Sequence, residues 1–222
     1  MDIRTNFHKR LREIQDDILA MGSMVEKAIL RSVEALKNRD LELAHQIIVD
    51  DKQINIKRFE IEEKCIELIA TQQPMASDLR VVVAVLNVIT ELERIGDHAE
   101  GIAKITIMIG DEPPLKPLID IPRMAQKTNE MLHRSLDAFV NHDAEAAKTI
   151  ALEDDEVDHL YDQVFRELLL FMMEDPKTVT RATRLIWVTH NLERSADRVT
   201  NICERVVFMV TGKMAEIEAS KY

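Results

Sequence analysis

Apolar residues between positions 5 and 37 fall at Phe7, Leu11, Ile14, Ile18, Met21, Val25, Ile29, Val33 and Leu36. Steps of three and four place them on one face of a helix. Asn38-Arg39-Asp40 reads as a turn, with Asp40 the expected cap of the next helix. That helix runs to about Thr71 through Ile47, Ile54, Ile61, Cys65 and Leu68. Gln73-Pro74 ends it, because the residue before a proline is pushed out of the α region. A third helix, with Ser77 or Asp78 as its cap, continues through Val85, Leu92, Ile95, Ile102 and Ile105 to about Ile109. The stretch from Gly110 to Pro117 is the only part of the chain dense in Pro and Gly, and Ile119 to Pro122 belong to the same connection. Beyond it the pattern predicts three more helices, at about 123–140, 144–173 and 178–210.

The second half repeats the first. Ser32-Val33-Glu34-Ala35-Leu36 returns as Ser135-Leu136-Asp137-Ala138-Phe139, and Asn38-Arg39-Asp40 as Asn141-His142-Asp143. Gln73-Pro74 has its counterpart in Asp175-Pro176. A helix of about 30 residues is about 45 Å long, and short loops make neighbours antiparallel. The expected fold is all-α: two tandem, pseudo-symmetric three-helix bundles, 1–110 and 123–222, joined by a linker at 111–122.

Composition agrees. Five Gly, six Pro and 4% aromatics in 222 residues favour helices. A net charge of −11 argues against general nucleic-acid binding, which needs a basic footprint, and suits divalent cations or basic protein surfaces. Cys65 and Cys203 form no CxxC pair or disulfide framework, so a reducing cytosol is the expected compartment. The start of the chain, Met1 to Asn6, reads as polar helix rather than an apolar signal segment. The longest apolar runs, Val81–Leu86 and Leu168–Met173, are far short of the ~20 residues that span a bilayer. Membrane association would then pass through a partner, at the inner face. Apolar positions left over on long helices lead us to expect a homodimer.

Candidate chemistry lies in one stretch. Leu92-Glu93-Arg94-Ile95-Gly96-Asp97-His98-Ala99-Glu100 returns one hundred positions later as Leu192-Glu193-Arg194-Ser195-Ala196-Asp197-Arg198-Val199-Thr200. Residues i and i+4 share a helix face, so Glu93 stands beside Asp97 and Glu193 beside Asp197. Glu100 extends the first stripe. The preceding helix of each half adds Asp154 and Asp158, matched by Asp51 and Asn55. If those faces meet, each bundle gathers three or four oxygen ligands. Neighbouring carboxylates repel, and oxygen-rich sets suit Mg²⁺, Mn²⁺ or Ca²⁺ and also hold iron or zinc. The plain alternative is a set of solvated acids on an exposed face; repetition in both halves favours a metal. Because the stripe lies off the apolar face of Ile95, Ala99 and Ile102, a surface site is expected. Arg94 and Arg194 could bind a partner's carboxylate or phosphate, or bridge to a neighbouring helix.

Two further signals are weaker. Glu-x-x-His, the mark of carboxylate-bridged di-iron enzymes, occurs at Glu42/His45, Glu130/His133 and Glu156/His159, never twice in register. A di-metal enzyme on a helical bundle is therefore the alternative reading. His98 as a phospho-acceptor lacks a repeat, since Arg198 replaces it. No phosphate-binding glycine loop or catalytic triad spacing is present.

With these residues laid out, the chain resembles the PhoU family of phosphate-transport-system regulators. The resemblance rests on Gln73-Pro74-Met75-Ala76-Ser77-Asp78-Leu79-Arg80, on Glu93-Arg94-Ile95-Gly96-Asp97-His98-Ala99, and on Met173-Glu174-Asp175-Pro176 with Asn191-Leu192-Glu193-Arg194. It implies two three-helix bundles, each with a metal centre on E(D)xxxD motifs, here Glu93, Asp97, Glu193, Asp197, Asp154, Asp158 and Asp51. Gly101 departs from the usual Asn, which Asn201 keeps, and Ser195-Ala196 and Arg198 depart from the first copy. The resemblance also implies the role of a cytoplasmic negative regulator of the phosphate-starvation response and of phosphate uptake. Such a protein joins the ATPase of the phosphate ABC transporter to a sensor histidine kinase by binding alone, with no bond made or broken.

Overall fold

The turns marked in the sequence are where the chain reverses. Asp40 accepts a hydrogen bond from the Leu43 N–H at 2.9 Å, and Asp143 accepts from the Glu145 and Ala146 N–H groups. Each satisfies a free donor at a helix start. The computed structural model describes residues 3–214, 216 and 217; Met1 and Asp2 of the polar start lie outside them, as do the last residues of the second expected bundle. Its helices are α1 (Ile3–Asn38), α2 (Leu41–Gln72), α3 (Ser77–Ile109), α4 (Asp120–Asn141), α5 (Ala144–Ala151), α6 (Asp154–Glu174) and α7 (Val179–Thr211). A 3₁₀ turn spans Pro176–Thr178, and there is no strand among the described residues.

Three features differ from the sequence pattern. First, α3 has no side-chain cap: Ala76 precedes it at φ 50°, and neither Ser77 nor Asp78 caps it. Second, α4 begins at Asp120, so Pro122 sits in its first turn, where a missing N–H costs nothing. Third, the long helix expected over 144–173 is interrupted at Leu152-Glu153 into α5 and α6. The acidic run Asp154-Asp155-Glu156 fills the first turn of α6, where the helix dipole favours negative charge. Glu153 is held there by Lys127 and by Arg134, whose Nη1 lies 2.8 Å from both carboxylate oxygens.

α1, α2 and α3 pack together, as do α4, α5, α6 and α7, and α3 and α7 form the most extensive helix pair in the molecule. α1 also packs on α4. One apolar cluster runs from Phe7 to Met209 through both halves, so the two bundles share a core. α3 can be central because it is apolar on most sides: Val82, Val85, Ile89, Leu92, Ile95 and Ile102 are all buried. The linker is fastened at both ends. Arg39 donates to the Asp111 carbonyl and Arg181 to the Pro113 carbonyl, while Lys116 pairs with Glu167 and Asp120.

The contacts between α3 and α7 come in twins. Glu91 Oε2 lies 3.4 Å from Arg198 Nη1 and accepts from Asn201 Nδ2 at 3.3 Å. Asn191, the counterpart of Glu91, places Oδ1 3.1 Å from Nδ1 of His98, the counterpart of Arg198. A Cβ on Gly101 would sit 2.9 Å from the same Asn191 oxygen, so the glycine leaves room for this contact. The two helices are therefore antiparallel about a point near Ile95 and Ser195.

α1 approaches α4 at Gly22, where an added Cβ would come within 2.2 Å of the buried Leu136 Cδ1. Gly22→Val is expected to force the two helices apart at a cost of about 1–3 kcal/mol. A chain of this size then loses roughly 2–4 °C of Tm per kcal/mol, measured by calorimetry. Gly22→Ala should cost less, because the Leu136 methyl can rotate away.

Candidate metal centres

α2 lies close to α3 because Gly96 carries no side chain. A Cβ there would stand 3.2 Å from Ile54 Cδ1 and 3.3 Å from Asp51 Oδ1. This approach brings Asp51 to the stripe formed by Glu93, Asp97 and Glu100. Burial, and then the negative charges of Glu100, Asp97 and Glu93, push the Asp51 carboxyl up to about 6. Asn55, which replaces the carboxylate found at Asp158, donates its amide to Asp51 Oδ2 at 3.0 Å. The other oxygen, Asp51 Oδ1, is buried without a hydrogen-bond partner. Glu100 thus joins the group where Asn55 does not. Its position seven residues after Glu93 was the available signal.

The second group forms between α6 and α7. Asp154 is only 6% exposed, and its Oδ1 is also buried without a hydrogen bond. Burial pushes this carboxyl up to about 7, reinforced by Asp158, Asp197, Glu193 and Asp155. Glu193 also rises to about 7, through burial and Asp197, against the opposing charge of Arg194. Asp158 rises through burial and then Asp197, Asp155 and Asp162. All seven carboxylates singled out in the sequence therefore fall into two groups, one per half, each built from two helices. They are more enclosed than the expected surface site: the Glu93 side chain is 14% exposed. The neighbouring helix supplies the cover.

Arg94 and Arg194 turn back onto their own helices. Arg194 Nη1 lies 2.6 Å from Asp197 Oδ2, and Arg94 lies 3.4 Å from Asp97 and 3.5 Å from Glu93. Arg58 of α2 stands 4.0 Å from Glu93. In the second group His190 Nδ1 is 3.3 Å from Glu193 Oε2, without hydrogen-bond geometry. The three Glu-x-x-His pairs occupy exposed positions. His98 is half-buried between α3 and α7, and burial lowers its pKa.

The donor chemistry fits a hard cation: clustered carboxylates, three of them (Asp51, Asp154 and Glu193) with a buried oxygen that accepts no hydrogen bond. Among the described residues, no three His, Cys, Asp or Glu side chains are already placed to hold a metal ion. Arg94 and Arg194 take up part of the charge on Glu93, Asp97 and Asp197. Asp51, Glu93, Asp97 and Glu100 would hold an ion in one half, and Asp154, Asp158, Glu193 and Asp197 in the other. Such an ion would supply the positive charge these groups lack.

Asp51, Asp154 and Glu193 titrate well above their ordinary values of 3.8, 3.8 and 4.5. The folded state therefore binds more protons than the unfolded state between about pH 4 and 7, and stability falls as pH rises through that window. Asp17, Asp50 and Glu153, which are held low, act in the opposite sense at more acidic pH, and the lowered His98 offsets part of the effect near the top of the window. In chelator, calorimetry should show a higher Tm at pH 5.5 than at pH 8. Asp154→Asn with Glu193→Gln should flatten that slope and raise Tm at pH 8 by at least the roughly 2–4 °C that about 1 kcal/mol gives.

The PhoU domain family matches this chain twice, over residues 18–106 and 121–206. A PhoU homolog of the phosphate-specific transport system in Clostridium acetobutylicum, described as an accessory protein, is 40% identical over 215 residues, 96% of this chain and 98% of that one. The corresponding Escherichia coli accessory protein is 36% identical over 95% of this chain and 88% of its own. The crystal structure of PhoU from Pseudomonas aeruginosa superposes with a TM-score of 0.88 at 36% identity, covering 93% of this chain and all 100% of that one. A phosphate transport system regulatory protein PhoU from Streptococcus pneumoniae gives 0.87 at 32% identity, covering 94% of this chain and 99% of that one. With two matched domains, relatives aligned along nearly its whole length and the same helical architecture, the chain belongs to the PhoU family.

Proposed function

We propose that this protein is a negative regulator of phosphate uptake and of the phosphate-starvation response, acting as a metal-binding adaptor between a phosphate ABC transporter and a sensor histidine kinase. The observation that carries the reading is the pairing of two carboxylate groups, one per half, with whole-length similarity to phosphate-transport accessory proteins. Regulation works by binding alone. The two long bundles share one core, so a partner meets a surface that needs little ordering. No helix among the described residues is long and apolar enough to cross a membrane, which fits peripheral attachment at the inner membrane through the transporter. Metal ions (Mg²⁺, Mn²⁺, Fe or Zn²⁺) neutralise the carboxylates and free Arg94 and Arg194, which then face the partner.

The test is a titration against the cytoplasmic part of the cognate kinase and against the transporter ATPase, with divalent metal and with chelator. Binding to at least one of the two, stronger with metal, is expected. An absence of binding to both would sink the adaptor reading.

Alanine at Glu93 and Asp97, or at Glu193 and Asp197, should weaken metal binding in that half alone by at least the roughly 10–100-fold lost when a supporting group is removed. Isothermal titration calorimetry on the two double variants separates the halves. Unchanged metal content in both would reduce the carboxylates to solubilising charges.

A further inference from the structure

The internal repeat leaves two related clefts at opposite ends of the α3–α7 pair, and they differ in how they are filled. The offset that takes Ser32 to Ser135 takes residues 8–15 to 111–118 and Arg39 to His142. The offset of the acidic motif takes Val81 to Arg181 and Ile109 to Met209. At one end this stretch of the repeat is the linker, which is non-helical and rich in proline. It fills the space with Pro114, Leu115 and Leu118 and leaves a cavity of about 30 Å³. Its backbone also serves the arginines there. Arg39 donates to the Asp111 carbonyl at 3.2 Å and Arg181 to the Pro113 carbonyl at 3.1 Å, with Glu112 3.6 Å from Arg181.

At the other end the same stretch is the start of α1. Its carbonyls are used within the helix, so it offers the cleft no acceptors and does not fold into it. The cleft stays open at about 520 Å³, within the roughly 300–1,000 Å³ of small-molecule sites. Arg12 of α1 and Arg80 of α3 both line it, and neither makes a hydrogen bond or an ion pair among the described residues. Arg80 lies against Gly212, where an added Cβ would stand 3.3 Å from its Nη1, and its Nε is buried without a partner. The negative end of α7 favours a cation there but gives it no hydrogen bond. The start of α3 forms part of the same wall without a side-chain cap, and adds the Ser77 hydroxyl. Leu11, Val81 and Met209 make a buried apolar floor, and the exposed His8 and His142 stand at the rim. Asp78 is the one carboxylate on the wall.

We infer that this cleft binds a small phosphorylated ligand of nucleotide size. Two guanidinium forks beside a helix start are the chemistry that recognises a phosphate group. Such a ligand gives Arg12 and Arg80 the acceptors that the linker gives Arg39 and Arg181 at the related end. Free phosphate would leave the apolar floor bare and would be repelled by Asp78. A nucleotide covers that floor with its base and offers Asp78 a sugar hydroxyl to accept from. The ligand touches α1 and α3 of the first half and α7 and the α4–α5 turn of the second, so its binding couples the halves. This goes beyond the adaptor reading and uses no residue of the two acidic groups.

Isothermal titration calorimetry tests this on the full chain, stripped of metal and dialysed into a chloride buffer so that no ion in the acidic groups recruits phosphate. The probes are AMP, GMP, CMP and UMP, with inorganic phosphate and the matching nucleosides as their separate parts. At least one nucleotide should bind about tenfold or more tighter than phosphate or its own nucleoside. Arg12→Ala and Arg80→Ala should each weaken that binding by about tenfold or more, as expected for hydrogen bonds to a charged group. Arg12 is exposed and unpaired among the described residues, so its variant should keep the helicity of the wild type by circular dichroism whatever Arg80→Ala does to folding. No binding of any of the four nucleotides, phosphate or nucleoside binding as tightly as the best of them, or nucleotide binding indifferent to Arg12→Ala would each overturn the proposal.

Discussion

The antiparallel packing of α3 against α7 is the contact on which the rest of the molecule depends. These helices carry the two copies of the acidic motif, and the same helices form the seam between the halves. Their apolar residues, Leu92, Ile95 and Ala99 on one side and Leu192, Ala196 and Val199 on the other, are fully or almost fully buried. Polar contacts at the flanks set the register: Glu91 with Arg198 and Asn201, and Asn191 with His98. A half-buried charge pair adds less to net stability than apolar burial does, but it penalises every slipped alignment. The motifs can therefore stand off the seam, each toward the outer helix of its own half.

Folding concentrates negative charge in two places, which is a cost to the free protein. Part of it is relieved by proton uptake, part by Arg94 and Arg194, and part by the Asn55 amide. None of these satisfies Asp51 Oδ1 or Asp154 Oδ1. Groups kept at such a cost are more common at working sites than in scaffolding. The arrangement would suit the proposed regulator, because a cation exchanged for protons and guanidinium charge would change what the surface presents without requiring the helices to move.

The duplicated halves have diverged where they differ in packing. In the first, Gly96 admits α2 close to α3, α2 is continuous, and its outer side is apolar. In the second, Ala196 takes the glycine's place, the matching helix is split at Leu152-Glu153, and the middle of its outer side carries Asp155, His159, Asp162 and Arg166. Asp158 adds a carboxylate where the first half has an amide. The second group is accordingly the more strongly shifted in its titration.

Much of the fold was legible in the sequence. Helical periodicity, the caps at Asp40 and Asp143, the breaks at Gln73-Pro74 and Asp175-Pro176, and the internal repeat are local in origin, so pattern alone reveals them. The break at Leu152-Glu153 was not legible, because it accompanies contacts that Lys127 and Arg134 of α4 make to Glu153. The spacing of Glu93, Asp97, Glu193 and Asp197 put each pair on one helix face. That the preceding helices bring Asp51, Asp154 and Asp158 to them is a tertiary fact, because it depends on how closely two helices approach at Gly96 and Ala196. Tertiary structure also decided the shared core, the turning of Arg94 and Arg194 onto their own carboxylates, and the inclusion of Glu100. The sequence by itself determined which residues share a helix face, since the α-helix repeats every few residues whatever surrounds it. Only the packed structure decided which faces meet, because that depends on side-chain volumes and charges a hundred positions apart.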